Sequence, residues 1–460
     1  MKYHLVQLGC QMNLSDSERI RTVLEELGFE ATDREEEANL LGIVACSVRQ
    51  KAIDKVYSRI HKWNSWKNSR NLFTFVSGCI LPADREKFLD RFDLLFGINE
   101  LPELPEMIRQ FGVVTPLSDG RPVEPRATTS RPGDPATDYW KVRPTYGSEF
   151  EAYVPIQNGC DKMCTFCAVP FTRGREVSRP SAEILAEVRS LVEKGYKSIT
   201  LLGQNVNSYG LDRRSSEITF PELLRRVGEI GRQSGREFWV YFTSPHPKDM
   251  TDEVLEVIAE YDCLARQIHL PIQSGDDKVL IRMNRNYHLG EYRRVVESIR
   301  RILPEATLFT DIIVGFSGET EEQFENTRRA MEEFRYNMAY IAMYSPRPGA
   351  ASARWEDDVD HAEKRRRLAV LTDVLQRYSL EYNRRLVGTT HRLLVDGDDR
   401  KPSYLSGKTE GRLIVRFPEG DKRLIGRFVD VRITDSATLS LEGELVGSAE
   451  GYLPAEAATA

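Results

Sequence analysis

The chain has 460 residues, 40% of them hydrophobic and 29% charged; that is enough for two or three domains with true cores and excludes both a disordered chain and a membrane protein. No run of about 18 apolar residues is present, which excludes a spanning helix. The opening MKYHLVQLGC has no apolar stretch before a small-residue cleavage site, so no secretory signal is expected and the chain is expected in the cytoplasm. The net charge of −6 excludes a polycation as a whole, yet residues 364–432 carry 17 Lys and Arg against 9 Asp and Glu, a local +8. A polyanionic partner would meet this C-terminal part first.

Residues 1–110 read as alternating strand and helix. Apolar runs at 3–8, 40–45 and 72–76 predict strands that close on Cys10, Cys46 and Cys79. Ser15-x-x-Glu18 reads as a capping box before Ile20, Val23, Leu24 and Leu27, and 49–63 reads as a second helix. Repeated strand–helix units predict a Rossmann-like parallel α/β domain over 1–115, in which ligands gather at the carboxyl edge of the sheet. One cysteine there reads as a small buried hydrophobe; three at equivalent strand ends read as a site. Pro116, Pro122, Pro125, Pro132, Pro135 and Pro144 predict a linker over 116–148.

A second alternation follows over 149–378. Strands are predicted at 152–156, 198–202, 238–242, 267–272, 308–314 and 339–344, with helices at 182–193, 221–230, 252–261, 291–302 and 321–334. Six strands with five crossovers predict an open, partial (β/α)6 barrel whose catalytic face lies where the strands end. Polar residues stand there: Gln157, Gly203-Gln204-Asn205, Thr243-Ser244, Gln273-Ser274-Gly275, and Asp311 with Gly315. Each alone reads as a loop cap; as a ring they are candidate cofactor contacts.

The loop after the first of these strands carries Cys160, Cys164 and Cys167 in a C-x3-C-x2-C spacing. An odd total of seven cysteines in a reducing compartment argues against disulfides. Three thiolates within eight residues wrap one cube of iron and sulfide and leave one iron without a protein ligand; soft thiolates suit such clusters. Zinc would need a fourth ligand nearby, and the two-cluster ferredoxin spacing is absent. Cys263 has no partner in sequence and reads as structural.

The segment 363–386 reads as a basic amphipathic helix with Leu368, Leu371, Leu375 and Tyr378 on its apolar face. Short alternating strands at 391–395, 413–417, 428–433 and 438–441 predict a small antiparallel β-barrel over 379–448. Arg412, Arg416, Lys422, Arg423, Arg427 and Arg432 fall on or beside those strands, as a phosphate-contacting surface needs. Residues 449–460 are expected to be a disordered tail.

Read together, Asn158-Gly159-Cys160 through Arg179-Pro180, Leu201-Leu202-Gly203-Gln204-Asn205-Val206-Asn207, Ser244-Pro245-His246-Pro247, His269-Leu270-Pro271-Ile272-Gln273-Ser274-Gly275 and TDIIVGFSGET at 310–320 resemble the radical S-adenosylmethionine methylthiotransferases. Cys46-Ser47-Val48-Arg49-Gln50 and Gly426-Arg427-Phe428-Val429-Asp430 extend the resemblance to both ends. Ser-Val-Arg after Cys46 and the Gly-Gln-Asn-Val-Asn run are similar to the MiaB-type branch, which converts N6-isopentenyladenosine beside the tRNA anticodon to its 2-methylthio derivative. One departure is Ala45, where the family usually has Thr before the cysteine.

The resemblance implies a methylthiotransferase domain, a radical domain and a C-terminal TRAM barrel. It implies two 4Fe-4S clusters, one on Cys160, Cys164 and Cys167 that binds S-adenosylmethionine, and an auxiliary one on Cys10, Cys46 and Cys79 that serves sulfur insertion. No side chain beyond the cluster ligands need be catalytic. Gln204, Asn205, Gln273 and Asp311 are candidate S-adenosylmethionine contacts; Arg412, Arg416, Lys422, Arg423 and Arg427 are candidate tRNA contacts. The expected partners are a tRNA carrying N6-isopentenyladenosine and an electron donor such as a flavodoxin-type protein, with no membrane and a monomeric state. Two alternatives stay open on the sequence: a methylthiotransferase acting on threonylcarbamoyladenosine tRNA or a ribosomal protein aspartate, and a non-enzymatic iron–sulfur RNA-binding protein.

Overall fold

In the computed structural model, which describes residues 1–46, 50–111 and 138–453, the first unit is a doubly wound parallel sheet. Strand β1 (Lys2–Leu8) leads into helix α1 (Gln11–Glu26), β2 (Glu30–Ala31) and β3 (Leu40–Cys46). Then come α2 (Gln50–Trp66), β4 (Phe73–Cys79), α3 (Pro82–Leu89), β5 (Leu94–Leu95) and α4 (Leu104–Gln110). The strand order is β2-β1-β3-β4-β5, all parallel. Every residue of β3 and β4 is buried, as strands covered on both faces require. Helix α1 packs Ile20, Val23 and Leu24 on one face with Val44 and Phe75. Helix α2 packs Ile53, Val56, Ile60 and Trp63 on the other with Ile43 and Val76.

The expected capping box does not start α1. The helix begins at Gln11, and the Asn13 amide oxygen accepts the Cys10 backbone N–H at 3.2 Å. Ser15 and Glu18 therefore lie inside the helix, where they bind the next unit: the Ser15 hydroxyl donates to the Tyr153 carbonyl at 3.3 Å, and Glu18 accepts the Gly147 N–H at 2.9 Å. Of the expected linker, 116–137 lies outside the described residues. Its remainder is packed: Tyr139 and Trp140 are buried in the N-terminal core, and the Thr145 N–H donates to the Thr22 hydroxyl at 2.8 Å.

Glu18 gives this junction a pH dependence. Burial, opposed by the Gly147 N–H and Arg19, holds its carboxyl up at about 7 against an ordinary 4.5. The folded state thus favours the neutral acid, and the stability this group supplies is full below 4.5 and lost as pH rises through about 7. The loss is on the order of 3 kcal/mol. In thermal melts, Glu18→Gln is expected to flatten the fall in stability across that window; an unchanged pH slope would contradict the assignment.

The second unit contains β6 (Glu151–Pro155), β7 (Gln157–Asn158), α5 (Val169–Arg173), β8 (Val177–Ser178), α6 (Ser181–Glu193), β9 (Ser198–Leu202), α7 (Phe220–Ser234) and β10 (Trp239–Phe242). It continues with α8 (Asp252–Glu260), β11 (Gln267–His269), α9 (Asp277–Arg282), α10 (Leu289–Ile302), β12 (Thr307–Val314), α11 (Glu321–Phe334) and β13 (Met338–Met343). Its six barrel strands form two three-stranded parallel sheets, β10-β9-β6 and β11-β12-β13, bridged between Val240 and Leu264. This is the expected partial (β/α)6 barrel, split at its middle. Ile199, Leu201, Val240 and Ile312 pack outward under the helices with Leu223, Val227, Val257 and Val296.

The third unit starts with α12 (His361–Leu386), followed by β14 (Thr390–Asp398), β15 (Tyr404–Thr409), β16 (Ile414–Pro418), β17 (Phe428–Ser436) and β18 (Leu441–Leu445). The strands close into a barrel ordered β14-β15-β16-β18-β17, and β16 pairs with β18 in parallel, so the barrel is not wholly antiparallel. Strand β15 was not expected, because Tyr404-Leu405-Ser406-Gly407-Lys408-Thr409 carries one large aliphatic. The strand expected at 438–441 begins only at Leu441. A boundary at 378/379 falls inside α12, which packs Leu371, Val374 and Leu375 into the central core and Leu386 against the barrel. Residues 449–453 are not a loose tail: Ala449–Tyr452 is a helical turn, and the Tyr452 hydroxyl donates to the Val446 carbonyl at 2.7 Å. Residues 454–460 lie outside the described residues.

The barrel docks beneath the central unit through the turn between β15 and β16. Glu410 pairs with Arg266 at 3.2 Å, and the Gly411 carbonyl accepts the Thr307 hydroxyl at 2.7 Å. Among the described residues, no helix is long and apolar enough to cross a membrane.

Candidate metal centres and substrate face

The first trio of thiols is assembled by strand register. Cys46 and Cys79 end β3 and β4 directly opposite each other, while Leu8 of β1 pairs with Ala45, which puts Cys10 at the same sheet edge. Asn13 stands between them. Its amide nitrogen donates to the Ala45 carbonyl at 3.2 Å and reaches the Cys79 sulfur at 3.7 Å; its oxygen takes the Cys10 N–H. Gly78 has φ +106, and a Cβ there would strike the Ala45 carbonyl oxygen at 2.4 Å, so glycine is required where the chain turns past this cluster of groups. Ala45, buried, offers this edge its backbone carbonyl and no side-chain hydroxyl. Ser47-Val48-Arg49 lies outside the described residues.

The second trio lies on the loop between β7 and α5. That loop is held from the other half of the barrel: the Thr165 N–H donates to the Met283 carbonyl at 3.1 Å, its hydroxyl to the Arg282 carbonyl at 2.8 Å, and the Asn284 amide to the Met163 carbonyl at 3.0 Å. Arg285, 6% exposed, donates to the Cys164 sulfur at 3.4 Å and to the Pro271 carbonyl at 3.2 Å. Cys263, by contrast, is buried against Gly231, as a structural thiol would be.

The donor set fits iron–sulfur clusters. Burial pushes the Cys160 thiol up to about 12 and Cys167 to about 11. Cys79 is raised by its hydrogen bond with Cys46 and then by burial. Such thiols would release their protons to solvent only as a bound cation takes up the thiolates, and buried arginine donors would then stabilise those thiolates. Among the described residues, no three Cys, His, Asp or Glu side chains close to the spacing of ligands around a single metal ion.

Polar residues gather on the first half of the barrel face. The Asn205 amide donates to Asp249 at 3.3 Å, and Lys162 of the cluster loop pairs with the same carboxylate at 2.5 Å. The Asn205 and Gln204 side-chain oxygens are buried without a partner among the described residues. Gln157 donates to the Ser208 hydroxyl at 3.1 Å, which donates to Glu176 at 2.5 Å; burial lifts the Glu176 carboxyl to about 7. His246, unforeseen as a functional residue, is 5% exposed. Its Nδ1 accepts the Lys248 N–H at 3.3 Å, its Nε2 has no partner among the described residues, and burial, with Arg285, Lys162 and Lys248 nearby, lowers it to about 2. It is a neutral imidazole whose Nε2–H is buried beside Tyr287.

Gln273 and Asp311 stand on the other half. Gln273 has φ +68, and its backbone bonds Asp311 and Ile313; the Asp311 carboxylate lies 2.9 Å from the His269 imidazole, within β12 rather than beyond its end.

The expected tRNA contacts divide. Arg412 is a correction: its guanidinium enters the central barrel, donating to the Thr200 hydroxyl at 2.9 Å and lying 4.0 Å over the Tyr241 ring. The left-handed turn at Arg412 (φ +58) points it inward, which composition cannot reveal. Arg416, Lys422 and Arg423 are ion-paired with Asp399, Asp398 and Asp421 at 3.1, 2.6 and 2.6 Å. Arg427 is exposed with no ion pair among the described residues. The basic helix is also largely neutralised by neighbouring segments, with Lys364 on Asp357 and Arg367 on Glu319.

Three family models match in chain order: the Uncharacterized protein family UPF0004 over residues 2–97, the Radical SAM superfamily over 154–331 and the TRAM domain over 384–446. A tRNA-2-methylthio-N(6)-dimethylallyladenosine synthase of Actinobacillus pleuropneumoniae serotype 3 is 39% identical, covering 97% of this chain and 92% of that protein. The protein of the same name from Pelobacter propionicus is 40% identical over 96% of this chain and 98% of its own length. The chain belongs to the radical S-adenosylmethionine methylthiotransferases. Among solved structures, the radical S-adenosylmethionine methyltransferase TsrM from Kitasatospora setae is similar in fold, with a TM-score of 0.53 at 14% identity over 86% of this chain and 79% of that one. A second TsrM structure, with cobalamin and a [4Fe-4S] cluster bound, covers 92% of the methylthiotransferase and 82% of its own chain, again at a TM-score of 0.53 and 14% identity. The methylthiotransferase thus carries one thiol trio in the unit matched by the first family model and the other in the unit matched by the second.

Proposed function

We propose that the chain methylthiolates C2 of N6-isopentenyladenosine next to the anticodon of tRNA, using two S-adenosylmethionine molecules and two 4Fe-4S clusters. The observation that carries this reading is the pairing of two separate thiol trios, one at the edge of a parallel sheet and one on the first loop of a partial barrel. The aromatic C2–H is too weak an acid for a side-chain base. When bound, the clusters and S-adenosylmethionine supply the electron, the 5′-deoxyadenosyl radical and the methylated sulfur.

The chain's own residues position these parts. Cys160, Cys164 and Cys167 hold one cluster and Cys10, Cys46 and Cys79 the other. Asn205, Gln204 and His246 present unsatisfied polar atoms to the S-adenosylmethionine side of the face, and Gln273 and Asp311 line its far side. The substrate is a tRNA carrying N6-isopentenyladenosine; the names of the relatives support this nucleoside over threonylcarbamoyladenosine or a protein aspartate. A flavodoxin-type donor, a monomeric state and a cytoplasmic setting complete the reading. Nucleosides of tRNA from a deletion strain are expected to contain N6-isopentenyladenosine and to lack its 2-methylthio form; an unchanged 2-methylthio pool would overturn it.

Phosphate contacts make the grip on tRNA salt-dependent. Arg427→Ala is expected to weaken binding evenly across tRNA sequences and to reduce the slope of log K against log salt by about 1, without changing S-adenosylmethionine cleavage. An unchanged slope removes Arg427 from the interface.

A further inference from the structure

One side chain links the first thiol trio to the start of the loop that carries the second. Arg173 ends α5, six residues after Cys167, and its side chain is 3% exposed. Its Nε donates to the Cys79 sulfur at 3.0 Å, and its Nη2 pairs with Asp16 of α1, itself 1% exposed. Its Nη1 donates to the Asn158 amide oxygen at 3.2 Å, and the Asn158 amide nitrogen donates back to the Arg173 carbonyl at 3.3 Å. Asn158 lies two residues before Cys160. A rigid, planar guanidinium therefore reaches β4, α1 and the start of the cluster loop at once.

Burying such an ion pair is a poor source of stability, since desolvation consumes most of the attraction. Its geometry suggests another use. We propose that Arg173 is a positioning residue: it fixes the radical-forming loop against the N-terminal cluster and, through its N–H on the Cys79 sulfur, raises that cluster's reduction potential. A hydrogen bond to a ligand sulfur draws electron density from it and favours the reduced cluster, a recognised lever on iron–sulfur potentials. Asp16 orients the guanidinium and balances its charge while leaving the Nε–H on sulfur. The proposal rests on Cys10, Cys46 and Cys79 being ligands of one cluster.

The test uses the full chain carrying Cys160→Ala, Cys164→Ala and Cys167→Ala, reconstituted anaerobically so that only the N-terminal cluster is present, with its potential read by an EPR-monitored redox titration. Arg173→Leu is expected to keep the iron content and lower the midpoint potential. Arg173→Lys, which keeps a cationic N–H donor, is expected to recover part of the shift. Because Arg173→Leu strands a buried carboxylate, Arg173→Leu with Asp16→Asn is the folding control and is expected to show the same lowering. In the chain with all six thiols, Arg173→Leu is expected to reduce methylthiolated product per 5′-deoxyadenosine about 10-fold or more while cleavage of S-adenosylmethionine persists. An unchanged potential and an unchanged ratio in both Leu variants would overturn the proposal. Failure of the triple variant with Arg173 intact to hold any cluster would overturn the ligand reading beneath it, a distinguishable outcome.

Discussion

Cys164→Ala is expected to reduce 5′-deoxyadenosine formation and tRNA methylthiolation together to the level seen without protein. Cys164 is one of three thiols on an eight-residue loop, and it is the one that receives the buried Arg285 donor at 3.4 Å. Removing its sulfur takes away one of three anchors and costs the Arg285 guanidinium, 6% exposed, one acceptor while the Pro271 carbonyl stays in place. The loop's other restraints survive, because Thr165 and Met163 are held through backbone atoms and a hydroxyl by Met283, Arg282 and Asn284. The fold should persist while the chemistry stops. Anaerobic assay of both products checks this; normal turnover would end the assignment of this trio.

The second large effect separates the two products. Cys46→Ala is expected to leave S-adenosylmethionine cleavage at the wild-type order while methylthiolated tRNA falls to background. Cys46 closes β3 inside a fully buried strand, on a different unit from the loop that carries Cys160, Cys164 and Cys167. Exchanging a buried thiol for a methyl costs about 1 kcal/mol, too little to unfold the N-terminal sheet. Quantifying 5′-deoxyadenosine and nucleosides from one reaction checks the division of labour. Loss of both activities from a folded variant would contradict it.

How much of this was legible in sequence follows from the range of the interactions. Strands β3 and β4 were legible because strands buried on both faces are written as continuous apolar runs. The grouping of the six thiols, three at one sheet edge and three on one loop, was legible because thiols at equivalent strand ends and in tight spacing are rare by chance. Arg173 and Arg285 were not, since each meets its thiol from 94 and 121 residues away and nothing local in TRGRE or RMNRN marks which guanidinium turns inward. Ser15 and Glu18 were misread because a capping signature also describes two helix-interior residues that serve a neighbouring unit. Arg412 was misread for a related reason: a basic composition predicts a charged barrel, while one left-handed turn decides whether a particular arginine faces phosphate or the Tyr241 ring.

Iron and acid-labile sulfide per chain, read with EPR spectra of three anaerobically reconstituted proteins, test the two-centre arrangement most directly. The chain lacking Cys10, Cys46 and Cys79 and the chain lacking Cys160, Cys164 and Cys167 should each retain one 4Fe-4S cluster, with only the former changing its spectrum on addition of S-adenosylmethionine, and the unaltered chain should hold both. A single cluster in the unaltered chain, or zinc in place of either one, would contradict it.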